Sequence, residues 1–262
     1  MVGNDLPLAL IAGPCQIESL DHALRSAAFL AGTCEAKKIP FVYKSSFDKA
    51  NRTSGDTPRG PGEVEGLRIL EEVKRQLGVL VTTDVHTEEQ AYTASMVVDL
   101  VQVPALLSRQ TDIIKAAGAH ARAVSIKKLQ MASPPHWAHR AVQKARNPNT
   151  ILIERGTAFG YGLVNDFTAW PAMRQYAPVF FDATHSVQSP SSLGASSGGN
   201  RALVPDLAAA AVAVGIAGVF LECHEDPDFA PSDGPCMMRM DDMPALLNRL
   251  KRIDEVAKSY PA

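Results

Sequence analysis

The chain has 262 residues, 46% of them hydrophobic and 21% charged, with a formal net charge of -2 and a pI near 6.4. That is enough chain and apolar content for a complete globular core, and a near-neutral balance supplies no global field for nucleic acid or an acidic membrane surface, so any anion binding must be local. No apolar run approaches the ~20 residues of a membrane-spanning helix, and the start MVGNDLPLALIAG lacks the basic and apolar regions of a signal peptide; a cytoplasmic protein without membrane or nucleic-acid partners is expected.

Apolar runs alternate with amphipathic stretches from end to end. Leu8 to Gly13 reads as a buried strand and Leu20 to Lys38 has helical spacing. Phe41 to Lys44 is the second strand. It leads into a loop of small polar residues carrying Lys49, Arg52 and Arg59, and Pro61 is expected in the first turn of a helix whose spacing covers Val64 to Leu77. Strands at Val79 to Thr83, Leu100 to Val103 and Ala123 to Ile126 are each followed by a helix, over Glu88 to Met96, Thr111 to Ala117 and Pro134 to Arg146. The same alternation gives strand Thr150 to Ile153, helix Thr168 to Tyr176, strand Val179 to Phe181 and the alanine-rich helix Leu203 to Val214; strand Gly218 to Leu221 and helix Pro244 to Lys258 complete it.

Eight strand–helix units in a chain near the typical ~250 residues predict an α/β fold of the (β/α)8 TIM-barrel type, one domain over residues 1–262. An open doubly wound sheet is the competing solution, but IAGPCQIES stands where a G-x-G-x-x-G would follow the first strand. The four cysteines, Cys15, Cys34, Cys223 and Cys236, form no C-x-x-C pair, and reduced thiols are expected.

Barrel enzymes carry their chemistry at the C-terminal ends of the strands. In strand order those ends offer Cys15; Lys44 and Lys49; Asp84 and His86; Gln102 and Arg109; Lys127 and Lys128; Glu154 and Arg155; Asp182 and His185; and Glu222 and His224. Polar groups at all eight ends imply a charged pocket on one face. Lys44, Lys49, Lys127 and Arg155 can hold a multiply charged, phosphorylated substrate, with Arg52 and Arg109 placed for a more distant phosphate. Strands seven, eight and one are neighbours where a barrel closes, so Cys15, His185, Glu222 and Asp233 can converge as a sulfur, nitrogen and oxygen site for a divalent transition metal such as Zn2+, Fe2+ or Mn2+. Each of these residues alone has a plainer reading: a buried thiol, a hydrogen-bonded loop histidine, a turn aspartate. Strand alternation points Cys223 away from the pocket if Glu222 points in, and Cys236 reads as structural. The small-residue run SSLGASSGGN reads as a lid or a phosphate nest.

IAGPCQIES, KSSFDKANRTS with RGPG, TDVH, QVPALLSRQTD, ERGTAFGY, FDATHSVQ, SSGGNR and SDGP follow one another along nearly the whole chain. In these motifs and their order it resembles the 3-deoxy-D-manno-octulosonate 8-phosphate synthase family. The resemblance implies a transferase that condenses phosphoenolpyruvate with D-arabinose 5-phosphate, releasing phosphate, in lipopolysaccharide biosynthesis. It further implies that Lys44, Lys49, Gln102, Lys127 and Arg155 hold phosphoenolpyruvate and that Asn51, Arg52, Thr53 and Asp84 contact the pentose phosphate. Arg109 resembles an arginine that reaches the pentose phosphate of a neighbouring subunit in a homotetramer. Cys15 matches the metal-dependent branch, whose metal-independent counterpart has Asn there, and Cys15, Asp84, His185 and Asp233 are the expected catalytic groups.

The related 3-deoxy-heptulosonate 7-phosphate synthases, which use erythrose 4-phosphate, tend to carry a K-P-R-T motif; here Lys49, Ala50, Asn51 and Arg52 stand instead, although Thr53 is shared with that branch. Leu129 in place of a glycine, the TSGDTPRG segment and the shortened FGYGLVND depart from the family pattern. An erythrose 4-phosphate enzyme and a non-catalytic phosphosugar-binding barrel are the alternatives.

Overall fold

The structure is a computed structural model and describes residues 1–50, 59–189 and 198–260. Eight strands, β1 (Ala9–Gly13), β2 (Phe41–Lys44), β3 (Leu80–Asp84), β4 (Leu100–Val103), β5 (Val124–Lys127), β6 (Thr150–Glu154), β7 (Val179–Asp182) and β8 (Gly218–His224), lie side by side in sequence order. Every adjacent pair is parallel, and β8 pairs back onto β1, with Ala9 opposite Gly218 and Gly13 opposite Glu222. The sheet therefore closes into the expected (β/α)8 barrel.

Around it run α1 (Leu20–Lys37), α2 (Glu63–Leu77), α3 (Glu88–Ser95), α4 (Thr111–His120), α5 (Pro134–Ala145), α6 (Ala169–Met173), α7 (Val204–Val214) and α8 (Met243–Ala257). Ser19 caps α1 by accepting the His22 N–H, and Thr87 caps α3 by accepting the Gln90 N–H. Pro61 precedes the Gly62 cap of α2 and lies outside the helix, not in its first turn. The sixth helix is shorter than its predicted span: Tyr176 N bonds to Met173 O in a turn, and Pro178 then starts the approach to β7. No helix among the described residues is long and apolar enough to cross a membrane, and all four cysteines are free and buried.

Strand alternation divides the core in two. Ala9, Ile11, Leu100, Ile153, Phe180, Ala217 and Phe220 fill the inside of the barrel. The intervening Leu10, Val81, Val101, Ile126, Phe181, Leu221 and Cys223 belong to the larger core between strands and helices. Gly118 allows α4 to lie directly on the end of α5, since a Cβ there would overlap the Ala145 carbonyl group and fall 2.8 Å from its Cα. Gly118→Ala is expected to cost about 1–3 kcal/mol through this overlap, read as a lowered midpoint in thermal unfolding.

A hairpin beside the site has no counterpart in the sequence reading. Thr157–Phe159 and Gly162–Val164 form an antiparallel hairpin directly after the sixth strand, with Gly160 at φ 61 in a two-residue turn.

Candidate active site

The inward phase that places Phe180 and Phe220 inside the barrel also selects what caps that apolar interior. Continuing it to the strand ends points Lys44, Asp84, Gln102, Lys127, Asp182 and Glu222 inward, all of them buried. Gly13 holds the corresponding position on β1, where a Cβ would strike the Lys44 carbonyl oxygen. Lys44 Nζ donates to Ser46 Oγ at 2.6 Å and lies 3.4 Å from Asp84 Oδ1 and 3.6 Å from Glu222 Oε1. Ser46 Oγ in turn donates to Asp84. Burial alone would raise the Asp84 carboxyl, but Lys44 and Lys49 beside it hold it well below the usual carboxylate range.

Opposite, Lys127 Nζ meets Asp182 Oδ2 at 2.6 Å and sits 3.8 Å above the centre of the Phe220 ring. Burial lowers the Lys127 ammonium from its ordinary value, with Asp182 opposing. Asp182 also receives His185: its carboxylate is 2.8 Å from the ring Nδ1 and accepts the backbone N–H at 2.9 Å. Burial would raise Asp182 too, yet His185 and Lys127 keep it well below the carboxylate range and ionised.

With Nδ1 turned to that carboxylate, His185 presents Nε2 to the seam of the barrel, 3.8 Å from Glu222 Oε1 and 3.8 Å from Asp233 Oδ2. Cys15 Sγ donates to Asp233 Oδ2 at 3.1 Å, and the ligand atoms of Cys15, Glu222 and Asp233 lie within 4.8 Å of one another. Both Glu222 oxygens are buried and accept no hydrogen bond from the described residues. A soft sulfur, an imidazole nitrogen and two carboxylates, one with both oxygens orphaned, fit a divalent transition metal. Burial, then Glu222 and Asp233, push the Cys15 thiol well up from its ordinary value, with Lys49 and Lys44 opposing. Asp233 occupies the left-handed region at φ 54, a conformation Asp tolerates better than most residues. Gln188 holds it there, donating Nε2 to Asp233 Oδ1 at 2.8 Å while accepting from Arg155 at 2.7 Å.

Arg155 Nε and Gln102 Oε1 are likewise buried with no hydrogen-bond partner among the described residues, as befits groups placed for a ligand. Lys49 is half-buried, and its ammonium is raised by the neighbouring carboxylates Glu222, Asp84 and Asp233 against the effect of burial.

The expectation that all eight strand ends feed one pocket needs correction. Lys128 and Glu154 occupy the outward phase and pair with each other behind the barrel wall. His224 turns outward to Glu18. Although Glu18, His22 and His224 lie at ligand-like separations, His224 Nδ1 accepts the Asp226 N–H. Its Nε2 therefore carries the proton that Glu18 accepts, and the bond clasps the segment leading into α1 to the end of β8. Arg109 is exposed in a cleft it shares with His136, Arg140 and Lys144, a cleft whose lining includes none of Lys44, Lys127 or Arg155. Asn51, Arg52, Thr53 and most of the small-residue run lie outside the described residues. Asp182 joins the site as expected from its strand end, whereas Ser46, Gln188 and Phe220 join it without having been singled out; the parity of Phe220 with Glu222 was the available signal.

Buried cations at the strand ends beside a ligand-competent thiol and carboxylates define a barrel enzyme for anionic substrates. Residues 1–259 match the sequence model of the DAHP synthetase I family. The chain is 51% identical to the 2-dehydro-3-deoxyphosphooctonate aldolase of Rickettsia bellii (strain OSU 85-389), covering 98% of this chain and 95% of that one. It is 54% identical to the protein of the same name from Magnetococcus marinus, covering 99% and 92%, and 54% identical to that from Methylobacterium radiotolerans, covering 99% and 93%. The chain belongs to the DAHP synthetase I family.

Proposed function

We propose that this protein is a 3-deoxy-D-manno-octulosonate 8-phosphate synthase, condensing phosphoenolpyruvate with D-arabinose 5-phosphate and water to give the eight-carbon sugar acid phosphate and inorganic phosphate. The observation that carries the reading is the convergence of Lys44, Gln102 and Lys127 on one inward layer, with Arg155 beside it and the Cys15, His185, Glu222 and Asp233 corner at the barrel seam. The names borne by the relatives denote an enzyme of the same eight-carbon sugar acid phosphate.

Lys44, Lys49, Lys127, Arg155 and Gln102 bind the phosphate and carboxylate of phosphoenolpyruvate and aim its C3 at the aldehyde carbon, so proximity supplies much of the rate. Asn51, Arg52 and Thr53 receive the pentose phosphate. C3 bonds to the aldehyde carbon, whose oxygen gains a proton; water adds at C2, and the resulting hemiketal phosphate expels inorganic phosphate to leave the ketone. Held ionised, Asp84 orients Lys44 and Ser46 beside the pentose. Asp233 would move protons to the new hydroxyl and from the attacking water, while His185, its Nδ1 committed to Asp182, would serve through Nε2. Cys15, His185, Glu222 and Asp233 would hold Zn2+, Fe2+ or Mn2+, which supplies Lewis-acid polarisation or a more acidic water when bound.

The reading includes one cytoplasmic barrel domain over the whole chain, a role in lipopolysaccharide biosynthesis and a homotetramer in which Arg109, exposed on its cleft, serves a neighbouring subunit. Phosphate release from phosphoenolpyruvate is expected with D-arabinose 5-phosphate. Turnover of erythrose 4-phosphate alone would reassign the protein to the heptulosonate branch, and binding of both substrates without phosphate release at any divalent metal would make it a phosphosugar-binding barrel.

A further inference from the structure

Lys128 follows β5 and Glu154 ends β6, each one residue out of phase with an inward cation, Lys127 in one case and Arg155 in the other. Both side chains are excluded from solvent, and Lys128 Nζ lies 3.5 Å from Glu154 Oε1. The same ammonium donates to the carbonyl oxygens of Leu129 and Gly156, both at 3.3 Å, and to Thr157 Oγ1 at 3.4 Å. Glu154 Oε1 accepts the Gly156 N–H at 2.9 Å, and the Lys128 N–H bonds to Ile153 O at 2.7 Å. A single buried ion pair thus ties the turn leaving β5 to the turn leaving β6. Gly156, held from both its N–H and its carbonyl, sits at φ 93, a conformation that favours glycine.

Stability is a poor explanation for the pair. Burial raises the Glu154 carboxyl and lowers the Lys128 ammonium, each opposed by the other. Glu154 Oε2 is buried without a donor among the described residues, so the pair is not fully satisfied there. Apolar residues of similar volume often replace a buried ion pair without loss. What they cannot replace is a cation that meets three acceptors on two turns at once. Those turns carry the backbones of Lys127 and Arg155, and the Arg155 guanidinium is fixed beyond its backbone only through Nη2 among the described residues, to His185 O at 3.3 Å and Gln188 Oε1 at 2.7 Å.

We propose that Lys128 and Glu154 are a positioning pair that sets the spacing of Lys127 and Arg155 for phosphoenolpyruvate, acting from behind the barrel wall without touching substrate. This rests on the reading that Lys127 and Arg155 bind phosphoenolpyruvate.

The decisive variant is the double replacement Lys128→Met with Glu154→Leu, which removes both charges and keeps the volume. It is expected to unfold within ~5 °C of the unaltered protein, while the KM for phosphoenolpyruvate and its Kd by calorimetry rise by ~10-fold or more and the KM for the aldose changes by less than ~2-fold. Glu154→Gln, which keeps an acceptor for Gly156 but leaves Lys128 without its counter-charge, is expected to raise the same KM by ~3-fold and serves if the double variant does not fold. Unchanged phosphoenolpyruvate affinity in a folded variant would overturn the positioning role, as would an equal rise for both substrates, the mark of general loosening. The calorimetric readout does not depend on which aldose is used. Failure of the unaltered protein to bind phosphoenolpyruvate at all would overturn the functional reading, and this inference with it.

Discussion

Removal of divalent metal by a strong chelator is expected to lower phosphate release by ~10³-fold, the several kcal/mol that Lewis-acid assistance supplies, and Zn2+, Mn2+ or Fe2+ is expected to restore it. Among the described residues Glu222 has two buried oxygens that accept no hydrogen bond, with Lys44 Nζ no nearer than 3.6 Å, an arrangement costly to keep unless a closer cation completes it. The Cys15 thiol adds a pH dependence with a definite sign. Burial and the neighbouring Glu222 and Asp233 hold it protonated well beyond the ordinary thiol range, so a metal must displace that proton to bind the sulfur. Raising the pH removes the competing proton. The apparent affinity for Zn2+, measured by chelator competition, should therefore rise by ~10-fold per pH unit across neutrality. A pH-independent affinity would remove Cys15 from the ligand set, and full activity after verified metal removal would contradict the metal's role. Cys15→Asn is expected to weaken the metal dependence of turnover.

The barrel was legible because parallel strands buried on both faces read as short apolar runs, and β2 and β4 match their predicted limits at both ends. Four other strands with polar last residues ended early in the sequence reading: Asp84, Lys127, Glu154 and Asp182 belong to their strands, although an apolar run stops before them. Those residues are also where the chemistry lies. Period-two alternation, used for Cys223, separates Lys127 from Lys128 and Asp182 from its neighbours equally well, and would have set Lys128 and Glu154 apart from the pocket. The hairpin over residues 157–164 escaped because each strand has only three residues, too few to show a period. The metal corner was legible as a set because barrel closure makes β8 and β1 neighbours. The roles of Gln188 and Ser46 were not, since a side chain that bridges two loops leaves no pattern in either loop.

Asp182→Asn is expected to lower kcat/KM by ~10³-fold although the residue touches neither substrate in the proposed reaction. Its carboxylate is shared between Lys127 Nζ at 2.6 Å and His185 Nδ1 at 2.8 Å, so one ionised group serves the phosphoenolpyruvate cation and the ligand imidazole. An amide cannot accept from both with the same two atoms. If its oxygen faces Lys127, its NH2 meets Nδ1 and forces the imidazole into the tautomer with the proton on Nε2, the nitrogen that faces Glu222 and Asp233; a wrong tautomer of this kind costs a catalytic histidine ~10⁴-fold where it has been isolated. If the amide turns over, Lys127 is left in the apolar barrel above Phe220 without a counter-charge, and its burial then favours the neutral amine. Loss of the buried charge should also destabilise the fold by about 3–5 kcal/mol. Because the folded-state value of Asp182 is depressed, its contribution is complete above the unfolded carboxyl value of about 4 and is lost only as the pH falls through the folded one. The stability gap between variant and unaltered protein, measured by denaturant unfolding, should thus hold constant at neutral pH and narrow only in acid. Zn2+ and phosphoenolpyruvate affinities should fall together in the variant. A loss confined to one of them would show that Asp182 serves a single half of the site and that the anion cradle and the metal corner are set independently.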